Sequence, residues 1–178
     1  MISIVPIKTD NEKMYSYMEK LIVASFPEDE YRALDQLKKY TDAPNEFTNQ
    51  VITEDGKMIG LLTYWDFGDF AYIEHFATDP EVRNGGYGRK IMEEWCRICA
   101  KPVVLEVEEP IEEMAKRRVG FYERLGYKLW NAYYEQPPYK KGDNFLPMKI
   151  MAYGNLKCEE DFERVKAALY KHVYGYGL

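Results

Sequence analysis

The chain is predicted to fold as a mixed α+β domain, and three observations carry that reading. Residues 47–53 and 58–65 are strand-like runs joined by Glu54-Asp55-Gly56-Lys57, whose Asp55-Gly56 pair is a strong hairpin signal. A second turn, Asp66-Phe67-Gly68-Asp69, leads into the apolar run 70–77, so three sequential antiparallel strands are expected. A glycine-rich stretch, Thr78 to Lys90, then opens a segment with Tyr87, Ile91, Trp95 and Ile98 at helical spacing. After Lys101-Pro102 ends that helix, residues 103–107 form a further strand, expected to lie parallel to 70–77 through a helical crossover.

The remaining elements follow in order. Residues 2–7 alternate as a first strand, and Thr9 to Glu12 has capping-box spacing ahead of a helix whose one face carries Met14, Tyr17, Met18, Leu21 and Ile22. Pro27 marks its end or a break. A helical pattern resumes over 28–40 through Tyr31, Leu34 and Leu37, and Asp42-Ala43-Pro44-Asn45 closes it. Residues 111–125 predict a helix ended by Gly126, which suits a glycine just past a helix C-terminus. Residues 127–134 read as a strand, 135–144 as a polar, proline-bearing connection, and 146–153 as the last strand. Residues 159–173 are amphipathic through Phe162, Val165, Leu169 and Val173, an extra C-terminal helix packed across the fold. No repeat, linker or low-complexity segment interrupts the chain, and one domain spanning 1–178 is expected.

Composition narrows the function classes. At 178 residues the chain is long enough to bury a core, and its 46% hydrophobic content and 16 tyrosines suit a folded globule with amphipathic surface. A formal charge of −6 gives no general reason to expect nucleic-acid binding, whereas an acidic chain suits cationic substrates. No stretch approaches the about 20 apolar residues of a membrane helix, and a basic region followed by an apolar run is missing at the N-terminus, so a cytoplasmic protein without a membrane partner is expected. Three cysteines make no disulfide framework. Cys96-x-x-Cys99 falls near a helix C-terminus, where the dipole opposes a thiolate, and no Cys/His cluster completes a zinc site, so no metal is expected.

The stretch Arg83-Asn84-Gly85-Gly86-Tyr87-Gly88-Arg89-Lys90 is the centre of the functional reading. Its glycines let the backbone turn sharply and let a ligand approach the amides. Amides at a helix N-terminus, backed by the positive end of the helix dipole, favour an anion such as a pyrophosphate. The spacing Arg83-x-x-Gly86-x-Gly88, together with Phe121-Tyr122-Glu123-Arg124-Leu125-Gly126-Tyr127 near the end of the next helix, resembles the two signatures of the Gcn5-related N-acetyltransferase (GNAT) family. The match covers residues 47–130 well and the ends by position only.

That resemblance implies a GNAT acyl-CoA N-acyltransferase fold, acetyl-CoA as cosubstrate, and transfer of acetyl to an amine. It assigns backbone amides of Val82, Arg83, Gly86, Gly88 and Arg89 to the pyrophosphate, with Gly85 and Tyr87 in the same loop, and main-chain groups of Phe76, Ala77 and Thr78 to the pantetheine arm. Tyr122 matches the family tyrosine that contacts the cofactor sulfur and protonates the leaving thiolate, and a phenol near pKa 10 is only mildly mismatched to a thiol near 8.5. The helices and loop before residue 47 form one wall of the acceptor site in the family, which makes Phe26, Glu28, Tyr31 and Arg32 substrate-contact candidates.

An alkylammonium of pKa about 10.4 is roughly three units from free base at neutral pH, a cost of about 4 kcal/mol, so a base is useful. Glu74, on the strand leading to the glycine loop, is the first candidate, and His75, on the opposite face by strand alternation, is its rival. Glu106 and Glu108 are placed to collect a cationic amine or pass its proton through water. The expected acceptor is therefore a small cationic molecule, attacked directly, with no cysteine placed as a nucleophile and a homodimer left open.

One departure stands out: where many family members carry an asparagine against the pantetheine arm, this chain has Glu108-Glu109-Pro110. Two other readings compete. A non-catalytic acyl-CoA sensor or partner-binding domain on the same fold is one, since fold does not fix function. A dinucleotide-dependent oxidoreductase is the other, disfavoured because Ile91 stands where the third glycine is needed and Pro80 separates strand from glycines.

Overall fold

The computed structural model describes residues 1–177. These form eight strands and five α-helices: β1 (Ile2–Pro6), α1 (Glu12–Ser25), α2 (Leu34–Asp42), β2 (Phe47–Glu54), β3 (Lys57–Asp66), β4 (Ala71–Thr78), α3 (Tyr87–Cys99), β5 (Val103–Glu108), α4 (Glu113–Arg124), β6 (Lys128–Leu129), β7 (Tyr134–Gln136), β8 (Leu146–Tyr153) and α5 (Cys158–Ala168). Single 3-10 turns occupy Glu28–Glu30 and Pro80–Val82, and a π-helical turn occupies Leu169–Val173. The strands pair in the order β1-β2-β3-β4-β5-β8-β6, with β7 also on β8, and β4–β5 is the parallel pair of a mostly antiparallel sheet. The expected α+β class and the added C-terminal helix are both observed. Among the described residues no helix is long and apolar enough to cross a membrane.

The chain divides into two compact units. The first, Met1–Asp66 with Ile73–Ala100, is built on the β1–β2–β3 meander. Asp55 and Gly56 both take left-handed φ, 48° and 83°, and close the β2–β3 hairpin as its sequence requires. Helices cover both faces of β2. Asn49 reaches Met18 of α1 and Thr41 of α2, while its neighbour Gln50 accepts a hydrogen bond from Trp95 of α3 at 2.9 Å. Because successive strand residues point to opposite faces, α1 and α2 lie on one side and α3 on the other. This explains why Val51, Ile52, Leu61 and Leu62 are all buried rather than alternating.

The second unit comprises Phe67–Tyr72 and the chain from Lys101 onward. Here β8 is central, pairing β5 on one edge and β6 and β7 on the other, all antiparallel. Val104, Leu105, Val119, Ile150, Val165, Leu169 and Val173 are buried in its core.

Local boundaries differ from expectation in three places, each for a physical reason. The N-cap of α1 is Asn11, whose side chain accepts from the Met14 amide, because Thr9 is bound instead to Asp42 through both its amide and hydroxyl. The helix expected over 28–40 is a 3-10 turn, then extended Tyr31, then α2: the pattern of apolar residues continued, but Arg32 is drawn away by a partner on β4. The strand expected over 127–134 is split into β6 and β7, since Leu129 pairs Met151 whereas Tyr134 pairs Met148, so residues bulge out between them and Tyr133 is left exposed while Tyr134 is buried.

Candidate active site

The glycine-rich stretch forms a tight connection from β4 to α3. Asp79 anchors it: its amide donates to the Ile59 carbonyl at 2.8 Å, and its carboxylate accepts from the Glu81 amide at 3.0 Å and from the Tyr17 hydroxyl at 3.1 Å. After the Pro80–Val82 turn, Asn84 and Gly86 take left-handed φ of 68° and 74°, and Gly86 is the N-cap residue of α3. A side chain at Gly85 would fit tightly, since a Cβ there would lie 3.0 Å from the Tyr87 ring and 3.3 Å from the Val82 carbonyl oxygen, and one of these would have to give way.

No side chain caps α3, and its first turn holds no acidic residue. The other four α-helices each place at least one carboxylate in the first turn. The first amides of a helix have no partner within it, and the dipole adds partial positive charge, so this end of α3 is suited to an anion. Val82, Arg83, Gly85, Gly86, Tyr87, Gly88 and Arg89 thus fall in one continuous loop and first turn, directly after Phe76, Ala77 and Thr78 at the end of β4. Two side chains are turned elsewhere: the Tyr87 hydroxyl donates to Glu54, and Arg89 pairs with Glu93 at 2.7 Å.

The centre of β4 holds a second constellation. Glu74 is ion-paired with Arg32 and accepts from Trp65 Nε1 at 3.1 Å, with both charged side chains buried, at 4% exposure for Arg32 and 1% for Glu74. The Arg32 guanidinium stacks 4.5 Å from the centre of the Tyr40 ring, with Trp65 at 5.7 Å and Phe47 at 5.9 Å. Burial alone would push the Glu74 carboxyl up, but the Arg32 charge and the hydrogen bonds from Arg32 and Trp65 outweigh it and hold it below the ordinary value. Glu74 is therefore ionised at neutral pH.

His75 is buried next to it. Its Nε2 lies 2.7 Å from the Glu30 carbonyl oxygen, which can only accept, so this nitrogen carries the proton. Its ring meets Phe26 edge-on at 4.7 Å, and its amide donates to Thr63 Oγ1 at 3.1 Å. Burial pushes the imidazole below its ordinary 6.5, against the opposing pull of Glu74, and keeps it neutral.

The structure therefore brings Phe26 and Arg32 onto β4, with Tyr31 buried between them and Glu28 at the start of the acidic turn Glu28–Glu30. The remaining candidates belong to the second unit. Tyr122 is buried in the last turn of α4, its ring 5.1 Å from Phe121 and 5.4 Å from Tyr127. Glu108 is exposed at the end of β5. Glu106 accepts from the Tyr134 hydroxyl at 2.8 Å and from the Tyr174 hydroxyl at 2.8 and 2.9 Å, and Tyr174 lies 3.3 Å from the Tyr72 hydroxyl. Burial, reinforced by Glu106, raises both Tyr134 and Tyr174 well above the usual phenol range. Sequence reasoning missed this tyrosine group and the partner of Glu74. No local spacing links Tyr72, Tyr134 and Tyr174, which lie far apart in sequence.

A mixed sheet with one parallel pair, a glycine loop at the end of the first strand of that pair and an uncapped helix start define an acyl-CoA-binding transferase class of fold. The sequence matches the family described as Acetyltransferase (GNAT) family over residues 12–127. A GNAT-family protein from Bacteroides thetaiotaomicron has a solved structure 51% identical in sequence, with a TM-score of 0.95 over 97% of this chain and 98% of that one. The chain belongs to the GNAT acetyltransferase family, whose members use acetyl-CoA as cosubstrate. More distant likeness is of fold alone. The ribosomal-protein-S18-alanine N-acetyltransferase of Escherichia coli is 21% identical with a TM-score of 0.59, over 88% of this chain and 99% of that one. An acetyltransferase of Streptococcus agalactiae is 18% identical with a TM-score of 0.57, over 85% and 97%. No curated protein sequence matches the chain significantly.

Proposed function

We propose that the chain transfers acetyl from acetyl-CoA to the primary amine of a small cationic molecule by direct attack. The observation that carries this is the α3 N-terminus, with no side-chain cap and no carboxylate in its first turn, presented by the loop of Gly85 and Gly86. In this reading the amides of residues 82–89 hold the pyrophosphate, and the ends of β4 at Phe76, Ala77 and Thr78 receive the pantetheine arm. The amine nitrogen attacks the thioester carbon, the C–S bond breaks, the amine loses a proton and the thiolate gains one. Tyr122 is assigned the thiolate's proton by its place in the second motif, and a backbone N–H near Phe76 to Thr78 polarises the carbonyl.

The base is constrained by energetics. Direct transfer from an ammonium of pKa about 10.4 to a carboxylate at or below about 4.5 is uphill by about 8 kcal/mol, against about 4 to 5 kcal/mol for release to solvent at pH 7. Glu74 therefore serves the reaction as an ionised, fixed carboxylate, and the proton leaves through water. The cationic preference rests on the acidic turn Glu28–Glu30 within the Phe26 to Arg32 segment.

The test has two stages. Thermal shift with acetyl-CoA, CoA, NAD and NADP should show stabilisation by the first two alone, about 2.7 kcal/mol at 100 times the dissociation constant. Thiol release should then be followed with spermidine, kanamycin, a neutral dipeptide and glutamate. Turnover highest with spermidine or kanamycin is expected. Preference for the dipeptide or glutamate would remove the cationic acceptor, and binding without any turnover would favour the sensor reading.

A further inference from the structure

Three separate points on the segment joining α1 to α2 are held by two adjacent residues of β4. His75 takes the start of the segment through the Phe26 ring and its middle through the Glu30 carbonyl. Glu74 takes its end through Arg32. Within the segment the Glu30 amide closes a turn on the Pro27 carbonyl at 3.0 Å. Arg32 is further fixed sideways, in a box of Tyr40 from α2, Phe47 from β2 and Trp65 from β3, and the Trp65 indole also binds Glu74.

A carboxylate this enclosed is poorly arranged to exchange protons with a substrate, and well arranged to neutralise a buried guanidinium. We infer that Arg32 and Glu74 are positioning residues, a buried latch that sets residues 26–33 against β4 and thereby fixes the acceptor side of the site. The latch itself is geometry. Its consequence for the acceptor rests on the proposed transferase reading, in which this segment borders the acceptor while the pyrophosphate loop follows the C-terminal end of the same strand.

The latch makes a distinctive prediction about pairs of substitutions. In R32Q or E74Q one buried charge remains without its counter-charge, whereas the double variant leaves neither, so the two effects should cancel in large part rather than add. If Glu74 were instead the group that accepts the amine proton, the double variant would be as impaired as E74Q alone.

Hydrogen exchange read by mass spectrometry on the full chain, without ligand, tests the latch directly. Each single variant should speed exchange in peptides covering 26–33 by about tenfold or more while leaving 83–90 within about twofold, and the double should return close to wild type. Steady-state kinetics with spermidine, or with whichever amine of the panel is turned over best, should show the acceptor KM raised about tenfold in each single variant, the acetyl-CoA KM unchanged, and recovery in the double. Unchanged exchange over 26–33 in both singles would overturn the latch, as would a double variant no better than E74Q in turnover. Should both singles fail to fold, a folded double with native exchange supports the pairing and an unfolded double overturns it. Failure of acetyl-CoA to bind the wild-type chain would remove the transferase reading but leave the exchange result standing.

Discussion

His75 shows how a single buried group sets a pH response. Its pKa is depressed by burial, so between the ordinary 6.5 and the lower folded value the unfolded chain binds more protons than the folded one. Its contribution to stability is complete above 6.5 and is lost as pH falls through that window. Glu74, also depressed, acts lower: its contribution is present above its ordinary 4.5 and is lost below it. The melting temperature should therefore decline from pH 6.5 toward 5, and H75Q, whose amide can still donate to the Glu30 carbonyl, should flatten that decline. Melting curves at half-unit pH steps check this, and an unaltered slope in H75Q would place the proton elsewhere. Phe26, Arg32, Glu74 and His75 were each visible as candidates in the sequence, yet their partnership was not. Arg32 and Glu74 are 42 positions apart, and no local periodicity reports a contact at that range.

Among elements, those governed by local chemistry were legible. The β2–β3 hairpin followed from Asp55-Gly56, and α3 from its apolar stripe and its glycine start, because turn angles and helical spacing are set by near neighbours. Where a distant group intervened, the local pattern misled: Asp42 took Thr9 from its expected cap, Arg32 is bound to Glu74 ahead of a helix that starts only at Leu34, and the β8 ladder split the strand after α4. The glycine loop is where local geometry bears most on function. Gly86 sits at φ 74° with open space around it, so G86A costs about 1 to 2 kcal/mol of backbone strain without a clash. G85A instead drives a methyl against the Tyr87 ring and the Val82 carbonyl, moving the loop itself. Both should weaken acetyl-CoA by about tenfold, since a displacement of the amides costs on the order of one charge-assisted hydrogen bond. Calorimetric titration decides it: affinities equal to wild type in both variants would mean that the pyrophosphate does not rest on this loop.

At the scale of the whole chain, the family and the order of the elements were legible because they depend on two short motifs and on the sequence of strand and helix patterns. The division into two compact units was not, since it depends on which segments pack together. That division runs through a strand. β4 gives its first two residues, Ala71 and Tyr72, to one unit and the other six to its companion. The connection 67–72 likewise belongs to the second unit although it lies between segments of the first. Neither unit is a continuous stretch of chain, and each takes part of β4. The expected outcome is a single cooperative domain. In equilibrium urea unfolding, far-UV circular dichroism should give one transition, and pulse hydrogen exchange should show peptides from 47–66 and from 146–168 losing protection at the same midpoint. Midpoints separated beyond experimental error would establish two domains, with β4 tolerating a break after Tyr72.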